Sequence, residues 1–267
     1  MNDKQSFSMS KNWQIPRFEA LELKQKKSKY AVCIPVLNEG DKIKKQLKKL
    51  LPFSKIVDII IADWGSTDGS TDSKFLKKMG IRTLLTLKDK GKQGTQLRMA
   101  FAYVLRQGYE GVIQIDGNNK DGVEAIPKFI NALDHRFDYI QGSRFIKGGK
   151  AVNTPFIRWL AVRFIGSPLL SFGSGYWYTD ITNGFRGYSR KYLTHPKVAP
   201  FRDVFVGYEL NMYLTVRANQ LGLRTQEIPV ARVYPLGKVP TKISFFKGNL
   251  MFLLSIIKAA TGYYNSN

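Results

Sequence analysis

A chain of 267 residues has room for one large α/β domain, and 43% hydrophobic residues support an ordinary buried core. Its single cysteine, Cys33, sits in the apolar run AVCIPV, which excludes a disulfide framework and fits a reduced compartment. The unusual quantity is the net charge of +22, which selects for polyanionic partners: nucleic acid, anionic lipid headgroups or phosphorylated substrates.

From the N-terminus, MNDKQSFSMSKNW lacks the apolar centre of a signal peptide. Residues 1–29 are polar and basic and read as a weakly ordered arm or a lid over a sheet edge. A first strand follows at Tyr30–Val36. The next helix carries Ile43, Leu47, Leu50 and Leu51 on one face, the spacing of a helix packed on a sheet, with lysines on the other. Strand 56–62, helix 69–78, a strand near 81–86, helix 93–107, strand 111–115, helix 122–134 and strand 138–142 complete an alternation that implies a mainly parallel sheet flanked by helices. Beyond Arg144 the composition changes. Pro155–Tyr178 and Lys242–Tyr264 are apolar and aromatic but interrupted by basic residues, and they read as amphipathic helices lying in a membrane interface. The most apolar run, Gly248–Ile257, falls short of the roughly 20 residues that a membrane span needs.

Two strands carry the chemistry. The run IVDIIIADWGSTDGST, Ile56–Thr71, delivers Asp63 to the lip of a buried sheet. The run GVIQID, from Gly111, delivers Asp116, followed by Gly117, Asn118, Asn119, Lys120 and Asp121. Ligands of open α/β sheets sit beyond the carboxyl ends of strands. Acidic and amide groups aimed there suit a nucleotide with a divalent metal. Pro35 closes the first strand, and the amides at Asn38–Glu39 open a helix able to hold a pyrophosphate or a base. Lys92, Gly94 and Gln96 lie in a Gly-punctuated loop suited to phosphate.

The segments IPVLNEG (34–40), ADWGSTDGS (62–70), GKQGTQLRMA (91–100), QIDGN (114–118), GSRFIKGG (142–149), TDITNGFRGYSR (179–190), YEL (208–210) and EIPVARVYPLGKVPTKIS (227–244) follow one another in a pattern that resembles the family 2 glycosyltransferases of GT-A fold. Within that family they resemble the dolichyl-phosphate mannose synthase and polyprenyl-phosphate glycosyltransferase branch, over about residues 30–245. The resemblance implies nucleotide-sugar binding by Pro35, Leu37, Asn38, Glu39, Asp63, Ser66, Lys92, Gly94, Gln96, Asp116 and Gly117. Trp64 stands where the family usually has a second Asp. Asp116-Gly117-Asn118 occupies the family's Asp-x-Asp position, which implies Mg²⁺ or Mn²⁺ on Asp116 and Asn118, with Asp121 placed to supply the charge that Asn118 lacks. Asp180 and Glu209 match acidic positions on the acceptor side and are the candidate catalytic carboxylates. Asn183 and Gly184 match the acceptor loop, and Arg232, Lys238 and Lys242 form a basic segment for a diphosphate or lipid phosphate.

The resulting expectation is an inverting, metal-dependent glycosyltransferase that moves a sugar from a nucleotide-sugar donor to a lipid-linked acceptor in cell-envelope or glycoconjugate synthesis. The acceptor is a polyprenyl phosphate, already anionic, or a glycan hydroxyl, which needs a carboxylate base. The expected organisation is a basic arm at 1–29, a GT-A domain at 30–240 and a membrane-associating segment at 241–267, on the cytoplasmic face of an anionic membrane. A sugar-nucleotide nucleotidyltransferase would open with a Gly-rich phosphate loop in place of LNEG. A basic nucleic-acid binder accounts for the charge, but no recognised binding module is present and the acidic strand ends would repel phosphate without a metal. A non-catalytic membrane adaptor leaves Asp63 and Asp116 unexplained.

Overall fold

The computed structural model describes residues 12–236 and 247–266. The chain divides into two compact units, one running up to Asn119 and including 188–207, the other comprising 120–187 and the chain from Tyr208 onward.

The first unit is organised by β-branched strands. Its sheet has the order β1 (Phe18–Glu22), β4 (Thr83–Leu87), β3 (Asp58–Asp63), β2 (Tyr30–Val36), β5 (Gly111–Gln114). All pairings are parallel except that of β1, which runs antiparallel along β4. All six residues of β3 are buried, as expected of a parallel strand covered on both faces. The basic N-terminal stretch supplies an edge strand of the sheet itself at 18–22. Ahead of it, Trp13 stacks on Phe201 with ring centroids 4.0 Å apart.

Helix α1 (Gly40–Leu50) packs with Ile43, Gln46, Leu47 and Leu50 buried. The sequence reading placed Leu51 in that stripe, but Leu51 is exposed and Gln46 takes the buried slot. Pro35 does not end its strand. It lies within β2, level with Ala62 of β3, beyond the last residue of β2 paired with β5, where its missing N–H breaks no ladder. Helix α2 (Ser73–Lys78) starts at Asp72, whose carboxylate accepts from the Phe75 amide, and α3 (Gln93–Arg106) covers β2 and β3.

In the second unit, helix α4 (Ile126–Asp134) precedes β6 (Tyr139–Ser143), which lies between β8 (Arg186–Ser189) and β9 (Thr225–Pro229). A separate parallel pair joins β7 (Lys150–Val152) to β10 (Ala231–Val233). The stretch 156–174 is helical: α5 (Phe156–Ala161), a π turn at Val162–Gly166, then α6 (Ser167–Ser174). Short α7 (Arg190–Leu193) follows β8 in the first unit, and α8 (Glu209–Gln220) and α9 (Lys247–Ala260) return to the second, where α9 packs on α6 and α8. The two amphipathic segments are thus core helices on one side, burying Val162, Leu170, Ile256 and Ala259, and exposed on the other.

Arg186 locks the second unit from within. It is 1% exposed, and its guanidinium donates to the carbonyls of Asn183 (3.0 Å), Asn211 (2.7 Å) and Ile181 (2.6 Å). Arg186→Met is expected to strand these acceptors, each costing on the order of 1–3 kcal/mol. The urea midpoint should fall clearly, and an unchanged midpoint would contradict this role.

Candidate functional site

The donor-side residues assemble at the carboxyl ends of β2, β3 and β5. Parallel register places Asp63 level with Val36, and Gln114 level with Cys33, so Asp116 follows just past the end of β5. Asp63 is 2% exposed, and burial holds its carboxyl above the usual range. It already accepts the Ser66 amide (3.0 Å) and the Ser66 hydroxyl (2.5 Å), bonds that pull the other way. A carboxylate has about four acceptor positions, so capacity for a base N–H remains. Asn38, in the left-handed region at φ 49°, ties this loop to the end of β2: its amide donates to Ser66 Oγ and its Oδ1 accepts from the Thr67 amide. Trp64 stands half-buried beside Asp63, its amide on the Val36 carbonyl.

At the start of α1 the Asn38 and Gly40 amides have partners within the chain. The Gly40 amide, which opens α1, donates to Asp68 Oδ2 and Ser70 Oγ, both at 2.8 Å. Glu39 pairs with Lys42 at 3.6 Å, and Leu37 is half-buried ahead of it. Gly94 and Gln96 also depart from expectation, since they belong to the first turn of α3 and not to a loop. Gly94 lies against the chain at 205–207, where an added Cβ would come within 2.6 Å of the Gly207 carbonyl. Gln96 is buried and its Nε2 donates to the carbonyls of Val36 and Ala62, each at 2.9 Å, stapling the ends of β2 and β3. Lys92, at the exposed N-cap of α3, keeps a side chain suited to phosphate.

The turn after β5 carries the metal candidates. Gly117 lies so close to β2 that a Cβ there would sit 2.9 Å from the Pro35 carbonyl, which fixes the turn's position. Asp116 and Asn118 are half-buried neighbours, with Asn118 Nδ2 3.5 Å from Asp116 Oδ2. Asp121 leaves the set. It belongs to the second unit, is 3% exposed, and its carboxylate is held by the Arg232 guanidinium. No cluster of three acidic, histidine or cysteine side chains exists among the described residues. A carboxylate and an amide oxygen are nevertheless hard donors of the type that holds Mg²⁺ or Mn²⁺ together with substrate phosphates, so the turn fits such a cation bound with a diphosphate.

In the second unit the expected base Asp180 is not placed to remove a proton. It is wholly buried, and it accepts from Arg144 Nε (2.7 Å), Nη2 (2.8 Å) and backbone amide (3.1 Å) and from Thr182 Oγ1 (3.3 Å). Those bonds fill its acceptor positions. Asn183 is likewise buried: its Oδ1 accepts from the Phe185 amide and its carbonyl from Gln141 and Arg186, so with buried Gly184 it shapes the turn. Glu209 opens α8, half-buried, where the positive end of the helix favours its charge. Lys238 and Lys242 lie outside the described residues.

What the sequence reading missed in this unit is the convergence on Tyr234. Arg144 Nη1 and Arg158 Nη1 donate to its hydroxyl at 3.4 and 3.3 Å. Lys120 Nζ lies 4.9 Å from its ring centroid, and Arg232 lies 5.7 Å from it. Burial raises the tyrosine, but the pull of Arg232, Arg144 and Arg158 outweighs it and carries the hydroxyl below its usual range. Arg144 and Arg232 have carboxylate partners; Arg158 makes no ion pair among the described residues. Four cations around one phenol, two of them already paired with carboxylates, make surroundings suited to an anion. Arg144 lay in view in GSRF, whereas Arg158 and Tyr234 are 76 residues apart, so only the fold pairs them.

Comparison with known proteins agrees with this geometry. The sequence model described as "Glycosyl transferase family 2" matches residues 31–195, more than half of the chain. The chain is 27% identical to the undecaprenyl-phosphate mannosyltransferase of Micrococcus luteus, over 75% of this chain and 82% of that protein. It is also 27% identical to the polyprenol monophosphomannose synthase of Mycolicibacterium smegmatis, over 74% and 75%. Among solved structures it resembles glucosyl-3-phosphoglycerate synthase of Mycobacterium tuberculosis in complex with Mn²⁺, UDP-glucose and phosphoglyceric acid, with TM-score 0.62, 15% identity, and coverage of 98% of this chain and 83% of that one. That likeness establishes the GT-A fold. The chain belongs to glycosyl transferase family 2 and is a glycosyltransferase.

Proposed function

We propose that this glycosyltransferase moves a sugar, with inversion, from a nucleotide-sugar donor to a polyprenyl phosphate at a membrane surface. The observation that carries this reading is the group of cations around Tyr234, of which Arg158 is without an ion pair among the described residues. A phosphate monoester is the acceptor such a group recognises. It is also a nucleophile that needs no deprotonation at neutral pH, which suits a unit whose Asp180 is saturated by Arg144. The relatives named for undecaprenyl-phosphate and polyprenol monophosphate chemistry point to the same acceptor class.

The donor falls to the first unit. Asp63 receives an N–H of the base, and Trp64, in place of the family's usual second acid, shapes the pocket beside it. Asp116 and Asn118 hold Mg²⁺ or Mn²⁺, which when bound offsets the charge of the departing nucleoside diphosphate. Lys92 adds a cation to the same task.

The lipid is met by the second unit. Phe156, Ile157, Phe164, Phe172 and Trp177 are exposed on the 156–177 stretch, with Phe172 93% exposed, and α9 exposes Leu250, Met251 and Leu254. Arg158 and Arg163 lie among them. This combination suits the interface of an anionic membrane. None of the described helices is long and apolar enough to cross one. We place the protein peripherally on the cytoplasmic face, where a chain with a single thiol is at home.

Radiolabelled transfer from a panel of UDP-, GDP-, CDP- and dTDP-sugars into anionic vesicles containing undecaprenyl phosphate tests the function; label confined to lipids that lack a free phosphate would overturn it. Arg158→Gln should raise the KM for the lipid phosphate by about 10–150-fold, the worth of a charge-assisted hydrogen bond, with donor KM unchanged. Glu209→Gln should lose less than about tenfold in kcat, because a general base contributes about 10²–10⁴-fold and a phosphate acceptor needs none. A loss in that larger range, in a variant with wild-type Tm, would return the assignment to a hydroxyl acceptor. Sedimentation with anionic vesicles should weaken as salt rises and nearly vanish for the double substitution Phe164→Asp with Phe172→Asp. Retention of that variant at wild-type level would remove the membrane face.

A further inference from the structure

The stripe of α1 that faces the sheet runs Ile43, Gln46, Leu47, Leu50, and one member is polar. Gln46 is 0% exposed on a helix otherwise rich in exposed lysines. A buried amide is costly unless its hydrogen bonds are made. Here its described bonds go to one place: Gln46 Nε2 donates to the Asp116 carbonyl at 2.7 Å, and Gln46 Oε1 accepts from the Asn119 amide at 2.6 Å. The turn between these contacts is Asp116-Gly117-Asn118-Asn119, the segment that carries both metal candidates. Asn119 holds the left-handed region at φ 58°, a conformation that a non-glycine residue keeps only where its surroundings enforce it.

We infer that Gln46 is a positioning residue for the donor site: its side-chain amide spans the mouth of the 116–119 turn and holds Asp116 and Asn118 in the arrangement that binds the cation and diphosphate. The inference rests on the donor-site reading given above. The helix brings rigidity that the turn lacks, because Ile43, Leu47 and Leu50 anchor it in the core on either side of Gln46. A leucine at position 46 would satisfy the core equally well. The amide is explained by the turn.

The test has two arms. In the ligand-free protein, Gln46→Met, which keeps the volume and removes both bonds, should speed hydrogen exchange of the Asn119 amide by about tenfold or more, while the amides of 58–63 stay as protected as before. In the second arm, Mn²⁺-dependent binding of UDP and of GDP should weaken by about tenfold, while uridine and guanosine, which engage the Asp63 end alone, bind as to the wild type. Gln46→Glu keeps an acceptor for Asn119 and should fall between the two. Leu47→Ala, which leaves a cavity in the same helix, should lower Tm without selectively exposing Asn119. Unchanged Asn119 exchange in a folded Gln46→Met protein overturns the inference, as does an equal loss for nucleosides and nucleoside diphosphates. If the wild type binds none of UDP, GDP, CDP and dTDP with Mn²⁺, the donor-site reading fails, and Asn119 exchange still decides whether Gln46 clamps the turn.

Discussion

The donor chemistry depends on where three parallel strands stop. β2, β3 and β5 are held in a register that leaves Asp63 at the lip of the sheet and Asp116 just beyond it. Strand ends are weak points, because backbone groups there begin to run out of ladder partners. Two buried glutamines meet that need: Gln96 takes the carbonyls of Val36 and Ala62, and Gln46 takes that of Asp116. Each supplies hydrogen bonds from a helix, the most rigid neighbour available. The backbone that carries the two carboxylates is therefore fixed by helix side chains, as a preorganised charged site requires.

The same economy appears at the helix starts. The N-terminus of α1 is satisfied by Asp68 and Ser70, and that of α3 by the Val206 carbonyl, 3.1 Å from the Thr95 amide. Backbone dipoles commonly used to hold phosphate are thus spent inside the protein.

Much of this was legible in the sequence. The β-branched runs ending in Asp63 and Asp116 announced a parallel sheet and its lip, because buried strands and Gly-rich turns leave strong local patterns. The alternation up to Ser143 was correct in kind, with boundaries displaced by a few residues. The short strands β7 to β10 left too little periodicity to be read. Roles fixed by distant contacts were also invisible. Asp121 reads like a metal ligand until Arg232 arrives from 111 residues away, and Asp180 reads like a base until Arg144 surrounds it. Gln46 showed a trace, a polar residue in an apolar stripe, but only the turn it grips explains it. Position along the chain states which groups are available, and packing decides which of them are already committed.

Arg158 and the residues that face solvent beside it have a further consequence for substrate choice. Phe156, Ile157 and Arg158 are consecutive on α5, so on the proposed reading a residue suited to a phosphate and two suited to hydrocarbon leave the backbone within one helical turn, about 5.4 Å of rise. Such closeness suits the junction between headgroup and acyl region. On the proposed reading, the enzyme senses the first isoprene unit and leaves the rest of the tail in the bilayer. Acceptors of very different tail length would then look alike to it, and discrimination among polyprenyl carriers would rest with whatever lipids the membrane contains.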